Sequence, residues 1–339
     1  MKKILLLFII SLMTSSIFAG DVSRKGTTGA EQLLIPVGAR GIATSGAFIA
    51  TFSGLEAIYY NPAGLDFSQR TEAMFSYMSY IADINVSYFA AGTSLGDFGS
   101  MALSFKTLDI GDIPITTSDF PDGTGSTYSP SFMTIGLTYS KVLTDRISIG
   151  TNLKLISETI ENTSATGFAI DAGVQYRFSP QVSLGAAIKN IGANMVYTGQ
   201  GLRQRTGVPN SQPGSPDATW EVVAEPFQIP SYFELSAAYA YNFNEQNNLM
   251  LASTFTANNS LEDRMHFGLE YGFMNSFFLR GGYNFLMENN DESTFGLTFG
   301  AGVNYDVASE MGLSFDYAFR DVKEFPTPNH IFTVKMWFE

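Results

Sequence analysis

Cysteine is absent from the 339-residue chain. That excludes disulfides, a lipid-modified cysteine anchor and any thiolate-held metal. Charge is scarce too, at 15% of residues against about 25% in an ordinary soluble domain. What charge there is leans acidic, with 32 Asp and Glu against 19 Lys and Arg. The basic patch of a nucleic-acid binder is therefore missing, and no nucleic-acid partner is expected. Histidine occurs only as His266 and His330, and neither has a Ser or Asp partner at the spacing a hydrolytic site needs. "GQGLRQ" lacks the strand-to-helix setting of a phosphate loop. Enzyme chemistry, a metal site and a cofactor are not expected. A mean hydropathy of +0.06, with no dominant apolar run, argues against a helical membrane protein. Aromatics, by contrast, reach 14% and glycine numbers 32. Low charge with abundant aromatics and glycine is the profile of a transmembrane β-barrel.

The chain opens "MKKILLLFIISLMTSSIFAG". Two lysines, an apolar stretch of about ten residues and a small-residue exit predict a Sec signal peptide over 1–19, with Gly20 the mature terminus. The apolar core is too short for a membrane span, so the protein is expected to be exported.

From Thr71 onward the dominant period is two. "FGLTFGAGVNY" sets Phe295, Leu297, Phe299, Ala301, Val303 and Tyr305 against Gly296, Thr298, Gly300, Gly302 and Asn304. "FAIDAGVQYRF" and "MGLSFDYAF" repeat the pattern, with small residues and an occasional charge on the polar face. A soluble β-sandwich would alternate as well. Segment length, aromatics at strand ends and the rhythm of the connections separate the two. The candidate strands are 71–79, 84–95, 99–108, 131–141, 147–159, 167–178, 182–196, 231–242, 249–257, 264–271, 276–284, 295–305, 311–319 and 330–338. Their number is even, as single-chain outer-membrane barrels prefer. Short turns alternate with longer stretches at about 109–130, 160–166, 197–230, 258–263, 285–294 and 320–329; only the hairpin at 81–83 breaks the rhythm. The expected fold is all-β: a 14-stranded antiparallel transmembrane barrel over 71–339, in contact with outer-membrane lipid, with both termini on the periplasmic side. The chain ends "HIFTVKMWFE", a terminal strand with Phe338 beside the end and Glu339 trailing.

Residues 20–70 do not alternate. They are rich in Gly, Ala and Ser, with a helical turn expected near Ser53–Tyr59 that Pro62 would stop. Asn61 can hold the following turn through its side chain. Too small to fold alone, this segment is expected to pack inside the lumen as a plug, or hatch. Small residues let its backbone approach the barrel wall.

"GTTGAEQLLIPVGARGIATSGAFIATFSGLEAIYYNPAGL", Gly26 to Leu65, resembles the N-terminal region of the PorV/PorQ family, itself similar to the FadL-type long-chain fatty acid transporters. The specific part is the series of small blocks that contains Gly38, Ala39, Arg40, Gly46, Asn61, Pro62, Ala63, Gly64 and Leu65. "AIKNIGANM" and "IPSYFELSAAY" resemble later landmarks of the family, so the likeness covers the mature chain. It implies a barrel with an N-terminal hatch, in line with the independent strand count.

By parity the lumen receives Lys106, Lys154, Asp171, Arg177, Lys189, Glu234, Glu270, Arg280, Asp316 and Lys335, of both signs in similar numbers. Hatch-to-wall salt bridges are the plain reading; a polar conduit or gate is the sharper one. The acidic excess falls in the longer loops, including Asp119 and Asp122. The longest loop, 197–230, has Arg203, Arg205 and Trp220 as candidate binding residues. Two functions follow from the resemblance. A PorV-like protein is implied to support type IX secretion, binding secreted cargo or a large translocon barrel at the cell surface. A FadL-like protein is implied to pass fatty acids or other hydrophobic ligands across the outer membrane. Inward positions that are mostly small or polar favour secretion, while Leu33, Leu34, Ile35 and Phe48 of the hatch could still build a greasy site.

Overall fold

The computed structural model describes residues 26–338 apart from 211, 213, 214, 289 and 309. The expected signal peptide over 1–19 and the trailing Glu339 lie outside the described residues.

Fourteen strands form one closed antiparallel ring. In chain order they are β1 (Thr71–Ser79), β2 (Asn85–Ser94), β3 (Ser100–Asp109), β4 (Ser131–Thr144), β5 (Ile147–Ile160), β6 (Thr163–Arg177) and β7 (Val182–Gly192). The second half is β8 (Tyr232–Asn242), β9 (Asn247–Asn258), β10 (Arg264–Phe273), β11 (Phe277–Leu286), β12 (Phe295–Ala308), β13 (Met311–Val322) and β14 (Asn329–Phe338). Each pairs with its sequence neighbours, and β1 meets β14 from Thr71↔Phe338 to Ser79↔His330. Closure gives every strand a partner on both sides, the condition for a sheet to stand in lipid. The alternation read from the sequence is the in-and-out pleat. β1 buries Glu72, Met74, Ser76 and Met78 toward the lumen while Phe75 and Tyr77 face outward. Phe89, Leu103, Leu153, Phe168, Leu279 and Phe315 are likewise exposed on the outer surface. An apolar belt on that scale is incompatible with water and suits lipid.

Many strand ends differ from the sequence reading by one to four residues, and three of these shifts change a loop or the lumen. β5 and β6 run on to Ile160↔Thr163, so the connection expected at 160–166 is a two-residue turn, with Glu161 at φ 49°. β7 stops at Gly192 rather than 196, because Asn190 (φ 57°) forms a bulge that shifts its register on β6. β13 continues through Arg320 to Val322, which turns Arg320 into the lumen instead of leaving it in a loop. The Arg320–Asn329 pairing holds that extension.

Residues 26–70 lie inside the ring. They are built from short pieces: 3-10 turns at Glu31–Leu34, Gly54–Glu56 and Pro62–Phe67, and helical turns α1 (Ala39–Ala43) and α2 (Ala57–Tyr60). α2 ends where Asn61 turns extended (φ −151°) and Pro62 begins the next turn. Phe48, Ile49, Phe52 and Tyr60 pack on Ala187, Ala238 and Ala252 of the wall, and Ile42 packs with Met78, Val86 and Ile331. The core therefore runs from the hatch, where Phe52 stacks on Tyr60 at 4.5 Å, out to the barrel wall. The 109–130 loop carries a small hairpin pairing Ile113–Pro114 with Thr127–Tyr128, and the 197–230 loop one pairing Arg203–Thr206 with Ala218–Glu221.

Candidate luminal binding site

The Asn-Pro turn fixes the hatch to the wall. Asn61 is fully buried, and its Nδ2 donates to the carbonyls of Ile49 (3.2 Å), Val174 (3.1 Å) and Ala186 (3.4 Å). Its Oδ1 accepts from Ala63 N at 3.2 Å. The turn comes so near the wall that a Cβ on Gly173 would lie 2.0 Å from Asn61 Oδ1, and one on Gly150 would lie 2.4 Å from Pro62. Glycine on the inward face is what allows that approach. Pro62, Ala63, Gly64 and Leu65 are all buried, and Ser140 and Ser148 both donate to Ala63 O, at 2.8 and 2.6 Å.

A second anchor is ionic. Arg40 Nε lies 2.8 Å from Glu270, and its Nη1 lies 3.2 Å from Glu56. Arg280 bridges the same Glu270 (2.6 Å) and Asp316 (2.5 Å), and Lys335 stands 3.9 Å from Glu56. Burial opposes the Arg40 charge, but Glu270 and Glu56 hold it above its ordinary range. Burial likewise opposes the Glu56 carboxylate, yet Lys335 and Arg40 keep it below the usual carboxylate range. Gly38, at φ 82°, sets up α1 just before this network, and Ala39 N donates to Thr333 Oγ1 at 2.8 Å. Lys154 pairs with Asp171 at 2.6 Å and bonds Asn190 Oδ1 at 2.7 Å. These charges are hatch-to-wall and wall-to-wall clasps. Arg177 lies apart at the short-turn rim, its guanidinium 3.7 Å from the Phe67 ring centre.

Between the hatch and the long-loop end the lumen is not filled. A cavity of about 140 Å³ remains. Tyr59 and Tyr60 of α2 form part of its floor, and Gly46 and Leu34 also line it. The barrel supplies Tyr232, Glu234, Arg264, His266, Phe295 and Arg320. Leu34, Arg264 and His266 are half-buried, so water reaches the cavity. His266 is held at both nitrogens, Nδ1 at 2.8 Å from Ser45 O and Nε2 at 3.1 Å from Thr256 Oγ1. That makes it a strut for the hatch turn at Ser45, which adopts φ 51°. Lys189, fully buried, donates to Tyr59 O and, at 3.3 Å, to Tyr60 O. The β7 bulge makes both Lys189 and Asn190 face inward in succession.

The wall beside this cavity is incompletely zipped. β11 pairs with β12 only from Phe277↔Val303 to Gly282↔Thr298. Beyond that, Tyr283–Leu286 pair with β10 alone, while β12 shifts register on β13 between Phe295 and Thr298. Asn284, Phe295, Gly296 and Thr298 line the cavity from inside the seam. On the outer surface Gly281, Tyr283, Leu297 and Phe299 line an apolar groove of about 710 Å³.

Of the hatch residues expected to form a greasy site, only Leu34 reaches the cavity. Leu33, Ile35 and Phe48 are buried in hatch-to-wall packing. Arg203, Arg205, Trp220, Asp119 and Asp122 are exposed on the loops and line neither the cavity nor the outer groove. Arg203 pairs with Glu221 across its hairpin at 3.1 Å. The sequence reading did not single out Arg264, Arg320, Tyr59, Tyr60 or Tyr232. Arg264 shares the parity of Glu270 and was legible by counting; Arg320 was hidden by the expected strand end at 319.

No protein-family model matches the chain, and no curated protein matches it. Among solved structures it is similar to the CymD monoaromatic hydrocarbon channel, at 12% identity and a TM-score of 0.56 over 90% of this chain and 98% of CymD. It is similar to the Ralstonia pickettii toluene transporter TbuX, at 12% identity and 0.55 over 90% and 99%. A Pseudomonas aeruginosa FadL homologue matches at 14% identity and 0.53 over 90% and 98%. At such identities the likeness is one of fold, and it extends along nearly the whole of these barrels: the chain shares their architecture, here a closed 14-stranded antiparallel barrel.

Proposed function

We propose that the protein is an outer-membrane channel that takes a small, largely apolar molecule from the long-loop side into the luminal cavity and releases it sideways through the wall above the hatch. The observation that carries this reading is a small aromatic-walled cavity directly inside an unpaired stretch of wall, on a fold shared with barrels described as hydrocarbon channels. The β11–β12 seam separates the cavity from an apolar groove on the lipid face, which gives a hydrophobic molecule a short path into the bilayer. In this orientation the short turns and the barrel termini face the periplasm, and the hatch blocks the straight aqueous path.

The secretion reading rests on the resemblance of residues 26–65 and on one surface. The hairpin of the 197–230 loop presents Trp220, Val222 and Val223, the last 86% exposed, as an apolar edge that a partner protein could cover. The fold neighbours are channels, so transport ranks first. The test is uptake of a radiolabelled monoaromatic compound by cells with and without the gene, at limiting substrate, alongside the extracellular proteome. Uptake that falls several-fold in the deletion strain with the proteome unchanged supports transport. Unchanged uptake with secreted proteins retained in the cell reverses the ranking.

A further inference from the structure

The charges of the lumen are not distributed evenly. Deep in the barrel, Arg40, Arg280 and Lys335 are matched by Glu56, Glu270 and Asp316, and Lys154 by Asp171. The cavity above the hatch is different. Lys189, Arg264 and Arg320 line it, and among the described residues none of the three has a carboxylate within ion-pair distance. Among the described residues Glu234 is the only acid in the lining. Glu31 and Glu262 act on Arg264 electrostatically from outside the lining.

Arg320 is 6% exposed. Its Nε donates to Asn329 Oδ1 at 2.9 Å, and Nη2 approaches only the Met78 sulfur, at 3.8 Å. Its guanidinium stacks over the Phe295 ring at 3.9 Å and faces the Tyr80 ring at 5.6 Å. Arg264 Nε is buried with no hydrogen-bond partner. A guanidinium offers a fork of donors that matches a carboxylate, and an unmatched buried cation is costly without a counterion. Two such groups beside one open cavity make a receptor for an anion.

The rest of the wall defines what is attached to that anion. Tyr59, Tyr60, Tyr232 and Phe295 supply ring faces and edges. The volume of about 140 Å³ is close to the about 150 Å³ of an apolar cavity that holds a single benzene. It is well below the about 300–1,000 Å³ of pockets for drug-sized ligands, too small for a long acyl chain.

We propose that the cavity binds a single-ring aromatic acid, with its carboxylate held by Arg264 and Arg320 and its ring against Tyr59, Tyr60 and Phe295. This names the substrate class of the channel proposed above. It depends on that reading only for the direction of travel, because binding is measured on the isolated barrel.

The purified full-length protein in detergent is titrated with benzoate, toluene and inorganic phosphate at neutral pH by calorimetry. Arg264→Gln and Arg320→Gln are compared, with folding checked by heat-modifiable gel mobility. Benzoate binding that exceeds that of both other probes, and that weakens about tenfold or more in each variant, is the expected result. Should Arg320→Gln not fold, Arg264→Gln at the half-buried side of the cavity decides alone. Toluene binding as well as benzoate, benzoate binding indifferent to Arg264, phosphate binding as well as benzoate, or no benzoate binding at millimolar concentration each overturns the assignment. Benzoate bound as expected but not taken up by cells would strike the transport reading and leave this site standing.

Discussion

At the scale of single residues, Asn61 shows how much one buried amide can organise. Its two amide hydrogens are spread over three carbonyls from the hatch and from strands β6 and β7, while its oxygen caps the next turn. Asn61→Ala is expected to lower stability by about 2 kcal/mol, the sum of a few buried hydrogen bonds lost at once. Asn61→Asp keeps the volume but points a carboxylate at the same carbonyls, so its loss is expected to be larger. Urea unfolding in micelles ranks the two; a milder effect for Asp would refute this account of the turn. Sequence reading reached Asn61 and Pro62 as a turn, because Asn-Pro chemistry is local. It could not reach the contact with Val174 and Ala186, which lie more than a hundred residues on and meet Asn61 only when the barrel closes.

At the scale of elements, most strands were legible to within a residue or two because the pleat imposes a period of two wherever one face meets lipid. The misses fall where a local rule was broken. Asn190 enters a left-handed conformation and ends β7 early, and Arg320 continues β13 past the point where the apolar alternation fades. The unzipped end of β11 and β12 is the element with a functional consequence. Gly281 faces outward over the groove, and a Cβ there would find no atom closer than 3.8 Å. Gly281→Val is therefore expected to leave folding and thermal stability within about 0.5 kcal/mol of the parent while partly filling the groove outside the seam. Reduced uptake of a monoaromatic compound by cells carrying this variant, at equal barrel abundance, would place the exit at the seam. Unaltered uptake would send it elsewhere.

At the scale of the whole molecule, the hatch depends on the barrel, since many buried side chains of residues 26–70 pack on the wall. As a proposed plug, the hatch can be tested by removal. Deleting residues 26–65 removes Arg40 and Glu56 but leaves Arg280 clasped between Glu270 and Asp316, so the ring is expected to close around water. Planar-bilayer recording should show a large, steady conductance that the intact protein lacks; a folded deletion variant without conductance would show that the hatch is not the plug. The sequence by itself determined the class of the protein. Alternation, low charge and abundant aromatics are demands that lipid makes on each strand separately, and the small-residue segment before Thr71 announced a piece that must sit against a wall. Only the tertiary structure decided where that piece leaves a cavity, which cations it leaves unmatched, and where the wall stays open. The reason is physical: a void and an unpaired charge are properties of what fails to meet across the lumen, and no local spacing in the chain encodes them.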